Sequence, residues 1–91
     1  MLILFSEQAW EEYAYWLDND IKIAKKIKEL ITAITKDPFN GIGKPEPLKY
    51  NLKSFWSRRI TSEHRLVYQV TGKKGEDQTL TIVQCRFHYD E

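Results

Sequence analysis

The stretch Asp20-Ile-Lys-Ile-Ala-Lys-Lys-Ile-Lys-Glu-Leu-Ile-Thr-Ala-Ile-Thr-Lys-Asp-Pro-Phe-Asn-Gly-Ile-Gly43 decides the fold, because a helical period ends inside it. Ile23, Ala24, Ile27, Leu30, Ile31 and Ile34 fall three and four apart, the apolar stripe of an amphipathic helix running to about Lys36. Asp37 to Gly43 then supplies a proline and two glycines, which a helix does not continue through. Beyond Gly43 the apolar period is two, so helices come first and strands follow.

Upstream, Asn19 and Asp20 end one helix and cap the next. Ser6 is a good N-cap for that earlier helix and Glu7 suits its first turn. Trp10, Tyr13, Ala14 and Leu17 are expected on its apolar side, with Glu11, Glu12 and Asp18 on the wet side, and Leu2 to Phe5 reads as a short strand before it. Downstream, strands are expected near Leu48 to Leu52, Phe55 to Ile60, Arg65 to Val70 and Thr79 to Phe87, the last two joined by the polar loop Gly72 to Gln78. The sum is a two-layer α+β domain over residues 1–91, an N-terminal helical hairpin packed on a mostly antiparallel twisted sheet whose other face stays partly open.

Side-chain parity gives that face a character. Trp56 and Ile60 alternate with Ser57 and Arg59, and Leu66, Tyr68 and Val70 alternate with Arg65 and Gln69. In the last strand Val83, Cys85 and Phe87 oppose Gln84, Arg86 and His88. Arg59, Arg65, Arg86 and His88 are therefore expected together on the open face. Pro45 and Pro47 hold Glu46 in an extended segment that no central strand would accept, so its carboxylate is presented.

Composition narrows the function classes. At 91 residues and 10.8 kDa the chain supports a modest core but no deep lidded cavity, so a surface site for a large partner fits better. No apolar run approaches the roughly 18 residues of a membrane span, and no signal-peptide pattern opens the chain, so a cytoplasmic location is expected. With one cysteine and two histidines, neither an internal disulfide nor a metal-ligand spacing appears, and no cofactor or metal is expected. Cys85 lies within an apolar strand pattern and reads as a packed thiol. The net charge of +1 conceals a division: residues 1–19 carry four acids and no base, whereas residues 20–65 carry eleven Lys or Arg against five acids. The middle is the anion-binding candidate, although Lys22, Lys25, Lys26 and Lys28 read first as the solvated face of a helix.

Glu46, the clustered cations and His88 form a set suited to cleavage of RNA by its own 2′-hydroxyl. That reaction needs a base for the hydroxyl, an acid for the departing 5′-oxygen and positive charge around the phosphorane. Glu46, flanked by Lys44 and Lys49, is the candidate base and His88 the candidate acid. Arg65 and Arg59 are candidates for holding phosphate bidentately, with Lys49 as a point charge beside them. Tyr89 and Phe55 are candidates for stacking on an unpaired base, and His64 reads as structural. Each has a plainer alternative: an exposed loop carboxylate, surface ion pairs with Glu63 or Glu46, and a core or interface aromatic.

The blocks Glu7-Gln-Ala-Trp10, Asp37-Pro-Phe39, Gly43-Lys-Pro-Glu-Pro-Leu-Lys49, Phe55-Trp-Ser-Arg-Arg-Ile60, Glu63-His-Arg-Leu-Val-Tyr68 and Arg86-Phe-His-Tyr89 occur in an order and spacing that closely resemble the YoeB family of RelE-superfamily toxins. The resemblance spans nearly the whole chain. It implies a microbial-RNase-like fold, a homodimer, and a ribosome-dependent endoribonuclease that cuts mRNA in the decoding site of the 70S ribosome and is held inactive by a YefM-like antitoxin. By position it implies Glu46 as base and His88 as acid, Arg65, Arg59 and Lys49 as phosphate and transition-state groups, and Tyr89 as an RNA-positioning residue. The Thr71 to Gln78 loop is longer than the family pattern, and Asp90-Glu91 extend past its usual His-Tyr ending. Two alternatives stay open: a toxin of the same superfamily acting on a protein target such as DNA gyrase, and a non-catalytic RNA-binding module.

Overall fold

The computed structural model describes residues 1–87. Its elements run β1 (Leu2–Phe5), α1 (Glu7–Asn19), α2 (Ile21–Lys36), β2 (Glu46–Pro47), β3 (Trp56–Arg59), β4 (Arg65–Thr71) and β5 (Thr79–Gln84). The sheet order is β1-β5-β4-β3-β2, with β1 parallel to β5 and every other neighbour antiparallel. The expected helical hairpin on a mostly antiparallel sheet is what forms.

Local chemistry sets the helix ends. The Ser6 hydroxyl accepts from the Ala9 amide at 3.1 Å, and the Asp20 carboxylate accepts from the Lys22 and Ile23 amides, satisfying donors that a helix leaves unpaired at its start. The α2 stripe packs as its period demands, with Ala24, Ile27, Leu30 and Ile34 buried against Leu66, Tyr68, Leu80 and Ile82 of the sheet. In α1 the buried side is rotated from the expected one. Ala9 and Trp16 are buried, while Trp10 is 56% and Leu17 44% exposed. The expected wet residue Glu12 is turned partly inward, where its Oε1 accepts from the Cys85 amide at 2.8 Å.

Two strand expectations need correction. Leu48 to Leu52 is not a strand: Tyr50–Leu52 forms one turn of 3-10 helix, and the edge strand that pairs with β3 is Glu46–Pro47. Pro47 is tolerated there because an edge strand has one side on which no ladder bond is required. The last strand ends at Gln84 instead of Phe87, and a register irregularity at Val67/Tyr68 of the β4–β5 ladder alters its parity. Leu80 and Ile82 face the helices, and so does Cys85, three positions on, with one residue absorbed by the bulge.

Candidate functional site

The face of the sheet away from the helices is read from its register. Glu46 pairs with Ser57, Ser57 with Val67 and Val67 with Gln84, so these four form one row across β2, β3, β4 and β5. One step along, Arg59 pairs with Arg65. Paired residues share a face, which brings Glu46, Arg59 and Arg65 to the same side. Ser57 and Val67 at the centre are 1% and 2% exposed, whereas Glu46 and Arg59 are exposed, so the carboxylate and the guanidinium stand out from a covered centre.

Each cation has a distinct setting. The Arg65 Nη1 donates to the carbonyls of Thr61 (2.8 Å), His64 (3.1 Å) and Ser62 (3.3 Å), which fixes the guanidinium against the 61–64 turn. The Arg59 amide donates to the Gly43 carbonyl at 2.7 Å while its side chain extends to solvent. Lys49 is exposed beside the 3-10 turn, and Phe55 is half-buried. His88 and Tyr89 lie outside the described residues.

Arg86, expected on this face, is elsewhere. Its guanidinium carbon sits 3.6 Å from the centre of the Tyr15 ring on α1, with Trp16 and Phe87 around it. β5 ends at Gln84, so Arg86 is free of strand alternation, and cation–π stacking holds it against α1. Its Nε is buried without a hydrogen-bond partner among the described residues.

Sequence reasoning passed over the residue that carries the loop leading to Glu46. Arg58 is fully buried, yet each of its three nitrogens donates: Nε to the Tyr68 hydroxyl (3.2 Å), Nη1 to the Ile42 carbonyl (3.0 Å), and Nη2 to the Asp37 (2.7 Å) and Asn40 (2.9 Å) carbonyls. The Tyr68 hydroxyl donates onward to the Pro38 carbonyl at 2.7 Å. Burial raises the Tyr68 pKa, with Arg58 opposing the shift. A buried cation is costly unless its nitrogens find acceptors, and here the 37–43 loop supplies three of them and Tyr68 the fourth. The signal was available: Arg58 is in phase with apolar Trp56 and Ile60. Gly43 completes the docking with φ +84°, where a Cβ would stand 2.8 Å from Leu30 Cδ2 and 3.0 Å from Arg58 Cβ.

A second clamp fixes the chain before residue 88. The Trp16 Nε1 donates to the Cys85 carbonyl at 2.9 Å, and Glu12 accepts from the same residue's amide. The Phe87 amide donates to His64 Nδ1 at 2.7 Å, and the Arg65 amide donates to the Phe87 carbonyl at 3.1 Å. His64, read as structural, thus ties β4 to the C-terminal segment. Burial, and secondarily the Glu12 carboxylate, push the Cys85 thiol up to about 12, as suits a packed core thiol.

Strained backbone lies beside four candidate residues. Lys44 (φ 50°), Tyr50 (φ 56°), Ser54 (φ 80°) and Phe87 (φ 66°) adopt positive-φ conformations, respectively near Glu46, next to Lys49, next to Phe55 and next to His88. Such conformations cost about 1–3 kcal/mol for residues other than glycine and persist where surrounding structure imposes them.

Residues 5–89 match the family model described as YoeB-like toxin of bacterial type II toxin-antitoxin system. The chain is 55% identical over 89 residues to Toxin YoeB of Escherichia coli (strain K12), covering 98% of this chain and 100% of that protein. It superposes on the YoeB/ParE toxin from Agrobacterium tumefaciens with a TM-score of 0.92 at 45% identity, covering 98% of this chain and 100% of that one. Staphylococcus aureus YoeB has been solved as a dimer (TM-score 0.86, 48% identity, 98% of both chains). It has also been solved in a YoeB-YefM complex (TM-score 0.84, 47% identity, 98% of this chain and 99% of that one).

Proposed function

The chain belongs to the YoeB-like toxins of bacterial type II toxin-antitoxin systems, and from that premise we propose that it is a ribosome-dependent endoribonuclease cutting mRNA in the decoding site. The observation that carries the reading is the shared face of Glu46, Arg59 and Arg65, together with the bond from the Arg65 amide to the Phe87 carbonyl, one residue before His88. A carboxylate and two guanidinium groups share one face of the sheet.

In the proposed reaction Glu46 accepts the proton of the 2′-hydroxyl as that oxygen attacks the adjacent phosphorus. The bond to the 5′-oxygen breaks, and His88 donates the proton that oxygen requires. Charge building on the non-bridging oxygens is met by Arg65, Arg59 and Lys49, and Tyr89 stacks on a base to place the RNA. Arg65 is suited to this because its Nη1 is already tied to three carbonyls and reorganises little when charge develops. A chain of 91 residues gives RNA little enclosure, so positioning of the attacking oxygen falls to the ribosome.

The protein acts in the cytoplasm as a homodimer and is held inactive by a YefM-type antitoxin. Support comes from the dimer and YoeB-YefM structures of the S. aureus relative, and from the fact that no helix among the described residues is long and apolar enough to cross a membrane. Expression of Glu46→Ala and His88→Ala variants tests the nuclease reading. Both are expected to abolish growth arrest while remaining folded. Full arrest by both folded variants would move the weight to a protein target or a binding module.

A further inference from the structure

His64 stands immediately before Arg65, and it holds two parts of the candidate site at once. Its carbonyl accepts from the Arg65 Nη1 at 3.1 Å, and its ring Nδ1 accepts from the Phe87 amide at 2.7 Å. The first bond steadies the guanidinium proposed for the transition state. The second fixes the chain one residue before His88, the proposed acid.

The imidazole is set before it meets Phe87. The His64 amide donates to the Thr61 hydroxyl at 3.1 Å, and the His64 carbonyl also accepts from the Ile60 (3.0 Å) and Thr61 (3.3 Å) amides. Its ring stands edge-on to the buried Trp16, with centroids 4.8 Å apart and planes at 74°. Nδ1 accepts a hydrogen bond only when it carries no proton, so the ring that makes this bond is neutral with its proton on Nε2.

Phe87 needs such a hold. Its φ of 66° is a left-handed conformation that a bulky side chain disfavours, and the residue is 55% exposed, so burial alone does not impose the turn. Its carbonyl accepts twice, from the Arg65 amide at 3.1 Å and from the Gln84 Nε2 at 3.3 Å. Its amide has one partner among the described residues, the His64 Nδ1. The carbonyl keeps an acceptor role if one donor is lost, whereas loss of the imidazole leaves the turn unheld on its N-terminal side.

We propose that His64 is a positioning residue for mRNA cleavage, a neutral imidazole whose Nδ1 sets Phe87, and through it the departure of His88, at a fixed place relative to Arg65. The proposal rests on the reading that the chain cleaves mRNA with His88 as the acid. His64 acts through Phe87 and does not itself meet the reacting atoms. A misplacement of about 1 Å can cost on the order of a hundredfold in rate, so a single bond at the edge of the fold governs the reaction more than it governs stability.

Two variants separate this role from packing. In His64→Asn a side-chain oxygen takes the place of Nδ1, whereas in His64→Gln the polar end lies further out, near the place of Nε2. Both lose the ring that packs on Trp16, so their melting temperatures are expected to fall alike. Single-turnover cleavage of a defined mRNA on 70S ribosomes is then measured across protein concentrations, at a temperature where both are folded. His64→Asn is expected to keep the saturating rate within about threefold, and His64→Gln to lose about tenfold to a hundredfold of it at an unchanged half-saturating concentration. Equal rates in the two variants, or a loss confined to the half-saturating concentration, would overturn the proposal. In wild-type protein, with no substitution made, nuclear coupling through the hydrogen bond between the Phe87 amide nitrogen and His64 Nδ1 is expected. Its absence would overturn the proposal whatever the variants do. Cleavage by His88→Ala at the wild-type rate, or no ribosomal cleavage by wild-type protein, would defeat the underlying reading and this proposal with it.

Discussion

Arg59 and Arg65 stand directly opposite one another across the β3–β4 ladder, two cations at one register position on the same face of the sheet. Like charges in that relationship destabilise a sheet, a cost that the bonds of Arg65 to the 61–64 turn offset only on its own side of the pair. Arg59 is the cleaner of the two to remove, because its side chain is exposed whereas Arg65 braces the 61–64 turn. Arg59→Gln is expected to lower ribosomal cleavage by about tenfold to a thousandfold. Thermal stability should stay equal or rise slightly, as repulsion is relieved. A fall in melting temperature with cleavage intact would assign Arg59 to structure.

Arg58 should behave in the opposite way. Arg58→Met leaves the carbonyls of Asp37, Asn40 and Ile42 and the Tyr68 hydroxyl short of partners, a loss of about 3–5 kcal/mol in urea unfolding. Lysine at this position cannot span the same fork of acceptors, so Arg58→Lys is expected to recover little. Full stability in the lysine variant would show that charge alone suffices there.

Trp16 holds the end of β5 through its Nε1–H bond to the Cys85 carbonyl. Trp16→Phe keeps most of the ring and removes that donor, which should cost about 1–3 kcal/mol, the penalty of an unmet buried acceptor. Cleavage measured well below the melting temperature should fall further than stability explains, since Cys85 leads through Phe87 toward His88. Equal activity at a temperature where both proteins are fully folded would uncouple this clamp from the site.

The Cys85 thiol should be inert in the native state. Its folded pKa of about 12 lies above the ordinary value of 9.0, so the unfolded chain loses this proton first as pH rises. The thiol's contribution to stability is therefore complete below about pH 9 and is lost progressively toward pH 12. Wild-type stability is expected to decline across that window more steeply than that of Cys85→Ala. Parallel curves, or rapid alkylation of native protein at pH 8, would contradict the buried assignment.

The sequence made the scaffold legible where one physical rule acted alone. The α2 stripe, the Ser6 and Asp20 caps and the proline-glycine break all appear as their local chemistry requires. The α1 face did not, because a long-range bond from Glu12 to the Cys85 amide turns that carboxylate inward, and no helical period records such a bond. Parity located Arg59 and Arg65 on one face but misplaced Arg86, since it assumed a strand running to Phe87 whereas β5 ends at Gln84. Arg58 was missed because a cation in phase with Trp56 and Ile60 reads as an exception to burial until the loop carbonyls that satisfy it are known. The roles of Glu46 and His88 came from residue chemistry together with family resemblance, and His88 lies outside the described residues.

The most direct test of the central claim is toeprinting of a defined mRNA on 70S ribosomes. Its lanes are wild-type protein, an Arg65→Ala His88→Ala double variant, and wild-type protein without ribosomes. The account predicts a new cut in the A-site codon in the wild-type ribosomal lane, and none in the other two. Cleavage of equal strength without ribosomes, or with the double variant, would contradict it.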